Sequence, residues 1–344
     1  MTSSNFEWTR LLGTSGHNTG DALTTGNDGS IYIAGRTMGD LDGQTNSGDD
    51  YPDAFISKFN SDGTKEWTRL LGSSYYDYGK ALTIGSDGSI YIAGDTSGDI
   101  DGQINNNNNN NDHFDAFISK FNPDGTKDWT RLLGTTSSFD YGNALTTGID
   151  GSIYIAGMTN GYLDGQTNSG SEDAFISKFN PDGTKEWTKL LGSSDYDSAY
   201  ALTTGNDGSI YITGFTRGEL DGQTNSGSDD AFISKFNPDG TKDWTKLLGS
   251  SESDSANGIT TGSDGSIYIT GYTGGELDGQ TNSGSDDAFI SKFNPDGTKE
   301  WTRLLGGGGS SSTYGLALTT GLDRSIYIAG ATRGGDLDWQ TNNG

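Results

Sequence analysis

The chain has 344 residues, no cysteine, 21 basic against 47 acidic side chains, and a formal net charge of −26. Disulfides, thiolate catalysis and cysteine-ligated zinc are excluded. A surface of this sign repels phosphate backbones, so nucleic acid is not an expected partner. No apolar run approaches the roughly 18 residues a membrane helix needs, so membrane insertion is not expected.

Only 30% of residues are hydrophobic and 55 are glycine, a balance that on composition alone leans towards disorder. Aromatic residues make up 11%, however, and they return at fixed places. Short strands joined by many glycine turns have this composition in an ordered all-β protein. The first residues, Met1 to Trp8, lack a basic stretch followed by an apolar core, so no ordinary signal peptide is read there.

In chain order, one unit opens with Glu7-Trp-Thr-Arg-Leu-Leu-Gly13 and a variable loop, then Ala22-Leu-Thr-Thr-Gly26 and the turn Asn27-Asp-Gly29. Ser30-Ile-Tyr-Ile-Ala-Gly35 follows, then a long loop, Asp53-Ala-Phe-Ile-Ser-Lys-Phe59 and the turn Asn60-Ser-Asp-Gly63. Trp8, Trp67, Trp129, Trp187, Trp244 and Trp301 start the copies, at spacings of 59, 62, 58, 57 and 57 residues. One repeat array is therefore expected over the whole chain, with units at 7–65, 66–127, 128–185, 186–242, 243–299 and an incomplete 300–344. Each unit holds four runs rich in β-branched and aromatic residues, bounded by Gly, Asn, Asp or Pro, which is the signature of strands. The Asn-Asp-Gly and Asn-Pro-Asp-Gly connections are hairpin chemistry, with Pro123, Pro181, Pro238 and Pro295 presetting φ.

These strands carry apolar groups on both faces, since Phe55 and Phe59 alternate with Ala54 and Ile56. A sheet with two apolar faces must be covered twice, and identical sheets stacked about an axis do that. The expected fold is all-β, a six-bladed β-propeller of four-stranded antiparallel blades. The small Ala-Leu-Thr-Thr-Gly strand suits the crowded axis and the tryptophan strand the outer edge, where Arg10 or Lys189 can cover apolar surface. The Trp8 strand is expected in the last blade, closing the ring. That blade is one strand short, because no sixth Asp-Ala-Phe-Ile-Ser-Lys-Phe run appears before Gly344. Three readings stand: a fragment, an incomplete blade, or a strand donated by a neighbouring copy, which would be self-association through the open edge.

The run Asp-Ala-Phe-Ile-Ser-Lys-Phe-Asn-Pro-Asp-Gly-Thr-Lys-Glu-Trp, then Leu-Gly, then Asp-Gly-Ser-Ile-Tyr-Ile-Ala-Gly-x-Thr, resembles the bacterial SBBP-type β-propeller repeat. The resemblance covers essentially the whole chain and rests on strand and turn residues. It implies a surface or exported bacterial protein, with a cytoplasmic one as the alternative, and it implies no shared activity. The asparagine run Asn105–Asn111 departs from the pattern as a loop insertion, expected to be a flexible tip.

Both tight turns fall on one face, so both long connections gather on the other, and binding residues are expected there. The long loop repeats Leu/Ile-Asp-Gly-Gln and supplies oxygen atoms from Asp42, Asn46 and Asp53. Its later copies supply Asp164, Asn168 and Asp173; Asp221, Asn225 and Asp230; and Asp278, Asn282 and Asp287. Calcium accepts such oxygen-only sets, yet Asp and Asn also hold turns through their own backbone, and both readings stay open. No other cofactor is suggested. The variable loops carry Tyr75, Tyr76, Tyr78, Phe139, Tyr141, Tyr196 and Tyr314 beside carboxylates, suited either to stacking on sugar rings or to packing between blades. Catalytic signals are thin: His17 and His113 sit in loops of different units without a repeated partner, and no catalytic triad or phosphate loop is present. Asp62 to Trp67 resembles the sialidase Asp-box with its glycine one position early. A noncatalytic binding or scaffold protein is expected, its ligand a glycan or a partner protein. The alternatives are an assembly unit built by strand exchange and a glycan hydrolase.

Overall fold

Period-two strands with tight glycine turns should zip into hairpins, and in the computed structural model they do so without exception among the described residues, which are 8–48, 50–105, 113–321 and 323–337. The first sheet runs β1 (Asn18–Thr25), β2 (Ile31–Thr37), β3 (Asp53–Phe59) and β4 (Lys65–Leu71), each antiparallel to the next. The second holds β5 (Asp77–Ile84), β6 (Ile90–Thr96), β7 (Asp115–Phe121) and β8 (Lys127–Leu133). The third holds β9 (Asp140–Thr147), β10 (Ile153–Thr159), β11 (Asp173–Phe179) and β12 (Lys185–Leu191). The fourth holds β13 (Asp197–Thr204), β14 (Ile210–Thr216), β15 (Asp230–Phe236) and β16 (Lys242–Leu248). The fifth holds β17 (Asp254–Thr261), β18 (Ile267–Thr273), β19 (Asp287–Phe293) and β20 (Lys299–Leu305), and the last only β21 (Ser312–Thr320) and β22 (Ile326–Arg333).

The architecture is an all-β propeller of six blades with the last one short. First strands touch first strands from blade to blade, so the small-residue strand lies at the axis and the tryptophan strand outside. Both faces of a blade are buried: Tyr154, Ile155, Phe175 and Ile176 are all at most 1% exposed. The cores lie between blades rather than within them, with Ala93 and Ile118 of blade two packed with Ile155, Phe175 and Phe179 of blade three. Each such phenylalanine, fully desolvated, contributes roughly 2–3 kcal/mol.

At the rim, the outer tryptophans of blades one to four reach across to the next blade. Trp67 Nε1 donates to Pro123 O at 3.3 Å and Trp129 Nε1 to Pro181 O at 3.1 Å. Arg69 Nε and Arg131 Nε donate to the carbonyls of Gly125 and Gly183 in the same turns. The turn glycines have positive φ, and a Cβ on Gly125 would lie 2.8 Å from the Trp67 ring. Tryptophan and turn glycine of one repeat therefore serve different blades.

The Leu/Ile-Asp-Gly-Gln loop is a strap over the outer edge. Asp42 and Gly43 both have positive φ, at 54° and 77°, and fold Leu41 back onto Gln44. Leu41 is buried, Asp42 engages Lys65 and Thr68, and Gln44 accepts from Leu70 N at 3.2 Å. The backbone edge that would invite sheet addition is thereby occupied.

Trp8 does not form the expected strand. The described segment 8–13 lies in no sheet, although Trp8 Nε1 donates to Ser61 O at 2.9 Å and Arg10 Nε to Gly63 O at 3.0 Å, as the other outer strands do. It occupies the rim position of a sixth outer strand, but its neighbour in the sheet, a third strand, is missing among the described residues. The ring comes round all the same: Leu23 of β1 and Leu318, Tyr327 and Ile328 of the last blade line one cleft of about 590 Å³. Beyond Asn105 the asparagine run lies outside the described residues.

Each first strand carries a β-bulge, and the carbonyl it turns out lies against a glycine of the second strand. A Cβ on Gly157 would sit 1.7 Å from Tyr141 O. Gly157→Ala is therefore expected to destabilise the fold by about 3 kcal/mol or more, whereas Gly308→Ala, with open space around it, should stay within about 0.5 kcal/mol. Urea unfolding of both variants against the parent checks the pair.

Candidate functional site

The five complete blades are nearly copies, so positions that differ between them stand out. In the second strand, Ile-Tyr-Ile-Ala/Thr-Gly-x-Thr, the sixth position is Arg36, Asp95, Met158, Phe215, Tyr272 and Ala331. The first strand opposes it with Thr19, Tyr78, Tyr141, Ser198, Ser255 and Tyr314. Two residues further on comes the bulge, where one residue has no cross-strand partner: Asp21, Lys80, Asn143, Tyr200, Asn257 and Leu316. Bulges re-aim side chains, and this one is repeated around the axis. All three sets lie at the end of the strands that meets the long connections, as the alternation of turns requires. The varying residues thus converge on one face around the axis.

Contacts run from blade to blade across this face. Lys80 Nζ donates to Asn143 Oδ1 at 3.3 Å, and Asn143 Nδ2 to Ala199 O at 3.0 Å. Lys80 also pairs with the fully buried Asp95, whose carboxyl accepts Gly142 N at 2.8 Å and is nonetheless pushed up by burial to about 6. The Arg36 guanidinium lies 4.8 Å from the Tyr78 ring centre and Lys80 Nζ 4.9 Å from that of Tyr141, both within cation–π range. Two clefts open here. One of about 320 Å³ is lined by His17, Arg36, Met38, Tyr76 and Tyr78. The other, about 250 Å³, is lined by Lys80, Tyr141, Asn143, Glu172, Tyr200 and Phe215. Burial raises the carboxyl of Glu172 and takes the Tyr141 hydroxyl up to about 12.

The aromatic residues expected on this face form a ladder. Tyr75 and Tyr76 flank Tyr51 with ring centres 5.9 and 4.6 Å away, Tyr76 and Tyr78 lie 6.0 Å apart, and Phe114 stacks on Tyr78 at 5.9 Å. Phe114 continues to Tyr141 at 5.5 Å, and Tyr141 to Phe139 at 6.2 Å. The rings are half-buried between blades one to three, with edges open to solvent. Tyr196 stands apart beneath Arg217, and Tyr314 meets Tyr272 in blades five and six. Tyr51, Phe114, Lys80 and the bulge residues were missed in the sequence. For Lys80 and the other bulge residues the signal was variation inside otherwise constant strands, whereas Tyr51 and Phe114 lie in the long loops before β3 and β7.

The expected calcium ligands are used differently from one another. Asp42, Asp164, Asp221 and Asp278 each engage the lysine and threonine of the outer strand. Asn46, Asn168, Asn225 and Asn282 hold the loop, the oxygen accepting from a glycine N two residues on at 2.8–2.9 Å. Asp53, Asp173, Asp230 and Asp287 are buried at the blade interface. Among the described residues no three acidic or histidine side chains gather at one point. His17 and His113 sit over different blades, the second against Phe139.

Comparison with known proteins matches this geometry. Over 98% of its length the chain is 27% identical to the regulatory protein FlaEY of Caulobacter vibrioides, and over 84% it is 23% identical to an uncharacterised WD repeat-containing protein of Acanthamoeba polyphaga mimivirus. It spans 38% and 26% of the length of these relatives. Among solved structures, catalytically inactive virginiamycin B lyase of Staphylococcus aureus superposes with a TM-score of 0.50 at 16% identity, covering 92% of this chain and 80% of that one. That likeness concerns the fold alone. The β-propeller repeat called SBBP matches at residues 66–101, 128–163 and 243–278, and each match runs from an outer strand into the strap of the next blade. Over those three stretches the chain carries the SBBP β-propeller repeat.

Proposed function

We propose that this propeller is a noncatalytic binding protein whose long-loop face takes an oligosaccharide. The observation that carries the reading is the ladder of tyrosine and phenylalanine rings from Tyr51 to Phe139, set beside the Lys80, Asn143 and Glu172 side chains. Ring faces stack on the apolar faces of sugars, and the polar groups beside them bond hydroxyls. A rigid scaffold with unequal copies at its rim suits an extended, asymmetric ligand. The same reading puts the protein at or outside a bacterial cell surface, as its resemblance implied.

A glycan array probed with the purified protein tests this. Retention of at least one glycan class is expected, with Tyr76→Ala lowering affinity about tenfold or more while the melting temperature holds within a few degrees. An array blank at every position, alongside a protein partner recovered through the same face, would replace the sugar with a protein.

A second reading, assembly, has its own observation. The outer edge of β22 has no partner strand among the described residues, and Tyr327 and Ile328, whose counterparts Tyr154 and Ile155 are buried, are 57% and 36% exposed. Added strands dock on such edges. Light scattering after size exclusion should then show mass rising with concentration, and a constant monomer mass would remove this reading.

A further inference from the structure

Every complete third strand opens on an aspartate, and so does every first strand from blade two to blade five. Across the interfaces this sets Asp53 beside Asp77, Asp115 beside Asp140, Asp173 beside Asp197 and Asp230 beside Asp254, all eight at 0% exposure. The backbone clamps the partners together: Asp77 N donates to Pro52 O at 2.9 Å, Asp197 N to Glu172 O at 2.8 Å and Asp254 N to Asp229 O at 2.7 Å.

One oxygen of each carboxylate is accounted for. Asp53 Oδ2 accepts Ser47 N at 2.8 Å, and Asp77 Oδ2 accepts both N and Oγ of Ser73, at 2.7 and 2.9 Å. The other oxygen, Oδ1 of Asp53, Asp77, Asp173, Asp197, Asp230 and Asp254, has no hydrogen-bond partner. Thr96, opposite Asp77, gives its hydroxyl hydrogen to Gly98 O instead. Among the described residues no lysine or arginine is ion-paired with any of these six; acidic neighbours act instead, Asp53 on Asp77, Asp173 on Asp197, Asp230 on Asp254 and Asp229 on Asp230. Two buried carboxylates side by side, each with one oxygen left unbonded, are a costly arrangement for a fold to hold.

The interface between blades five and six acts as an internal control. There the second aspartate is replaced by Thr313, and the remaining Asp287 has both oxygens bonded by Ser283 Oγ, at 3.1 and 2.9 Å. At this interface, where the pair is lost, the orphan oxygen is lost with it.

We propose that each of the interblade pairs Asp53–Asp77, Asp173–Asp197 and Asp230–Asp254 holds one calcium ion, with one oxygen from each aspartate as its charged ligands. Two carboxylates balance a divalent charge, and calcium takes oxygen donors in irregular geometry, with backbone carbonyls and water able to complete the shell. The ions would rivet neighbouring blades at the mouth of the long-loop face. The competing occupant of the space is a proton. Burial takes Asp53 up to about 6 and Asp77 up to about 7. Without metal, the folded chain then binds more protons than the unfolded one between about pH 4 and 7, so stability must fall as pH rises through that window. Calcium has to displace those protons, so it should act at pH 8 and fade at pH 5.

The test is calorimetric titration of the EDTA-stripped full chain with calcium chloride at pH 8 in about 0.15 M salt, where loosely held surface ions are screened. One equivalent per pair is expected, with the count falling by one in Asp77→Asn and again in Asp197→Asn, and unchanged in Asp287→Asn. Calcium should raise the melting temperature by about 5 °C or more at pH 8 and by much less at pH 5. Equal melting with calcium and with EDTA at pH 8, or a count that ignores Asp77→Asn while Asp287→Asn behaves as parent, overturns the proposal and leaves the pairs sharing protons. Should Asp77→Asn fail to fold, Asp254→Asn at a different interface gives the same readout.

Discussion

The apolar contact between blades is what the rest of the molecule depends on. A blade of this chain has no face for water: Tyr154 and Ile155 point to opposite sides of one strand and both are buried. Such a sheet has no stable existence alone, and each copy must be sandwiched by two others. The curvature of the ring, the position of the axis and the segregation of long and short connections follow from that requirement. Polar contacts then add direction to a non-directional force. Trp67 with Arg69 and Trp129 with Arg131 bond the carbonyls of the next blade's turn.

The fold was readable because these demands are periodic. Six tryptophans, five copies of Asp-Ala-Phe-Ile-Ser-Lys-Phe and the Asn-Pro-Asp-Gly turns each report the same local geometry, and errors in one copy are corrected by the others. Even the axial position of the small strand followed from side-chain size. The Trp8 segment is where this reasoning overreached. Its sequence is that of an outer strand and it makes the rim contacts of one, but a strand also needs a neighbour on the sheet side, and the third strand that would supply it is absent among the described residues.

The site was less legible, for a physical reason. Sequence signals for strands and turns come from short-range sterics, whereas the face of a propeller is assembled from residues some 57 positions apart. That Lys80 would meet both Asp95 and Asn143 depends on a bulge and on the packing of two blades. The Leu-Asp-Gly-Gln loop misled for a related reason. Its acid looked available for a metal, but the chain reverses at Asp42 and Gly43 and brings that acid onto Lys65 and Thr68. Asp53, the candidate ligand that opens the following strand, is the one left beside another acid across the interface.

The rim contact has a consequence for how such a protein can change. Each blade grips its successor through a tryptophan and is gripped through a glycine turn, and these two parts are the same in almost every copy. The residues that differ most from copy to copy within the strands lie elsewhere, in the bulge and the sixth position of the second strand. Units can therefore be duplicated, deleted or exchanged at the level of the gene with the joints between them left intact. A new order of units would present a new surface on an unaltered frame.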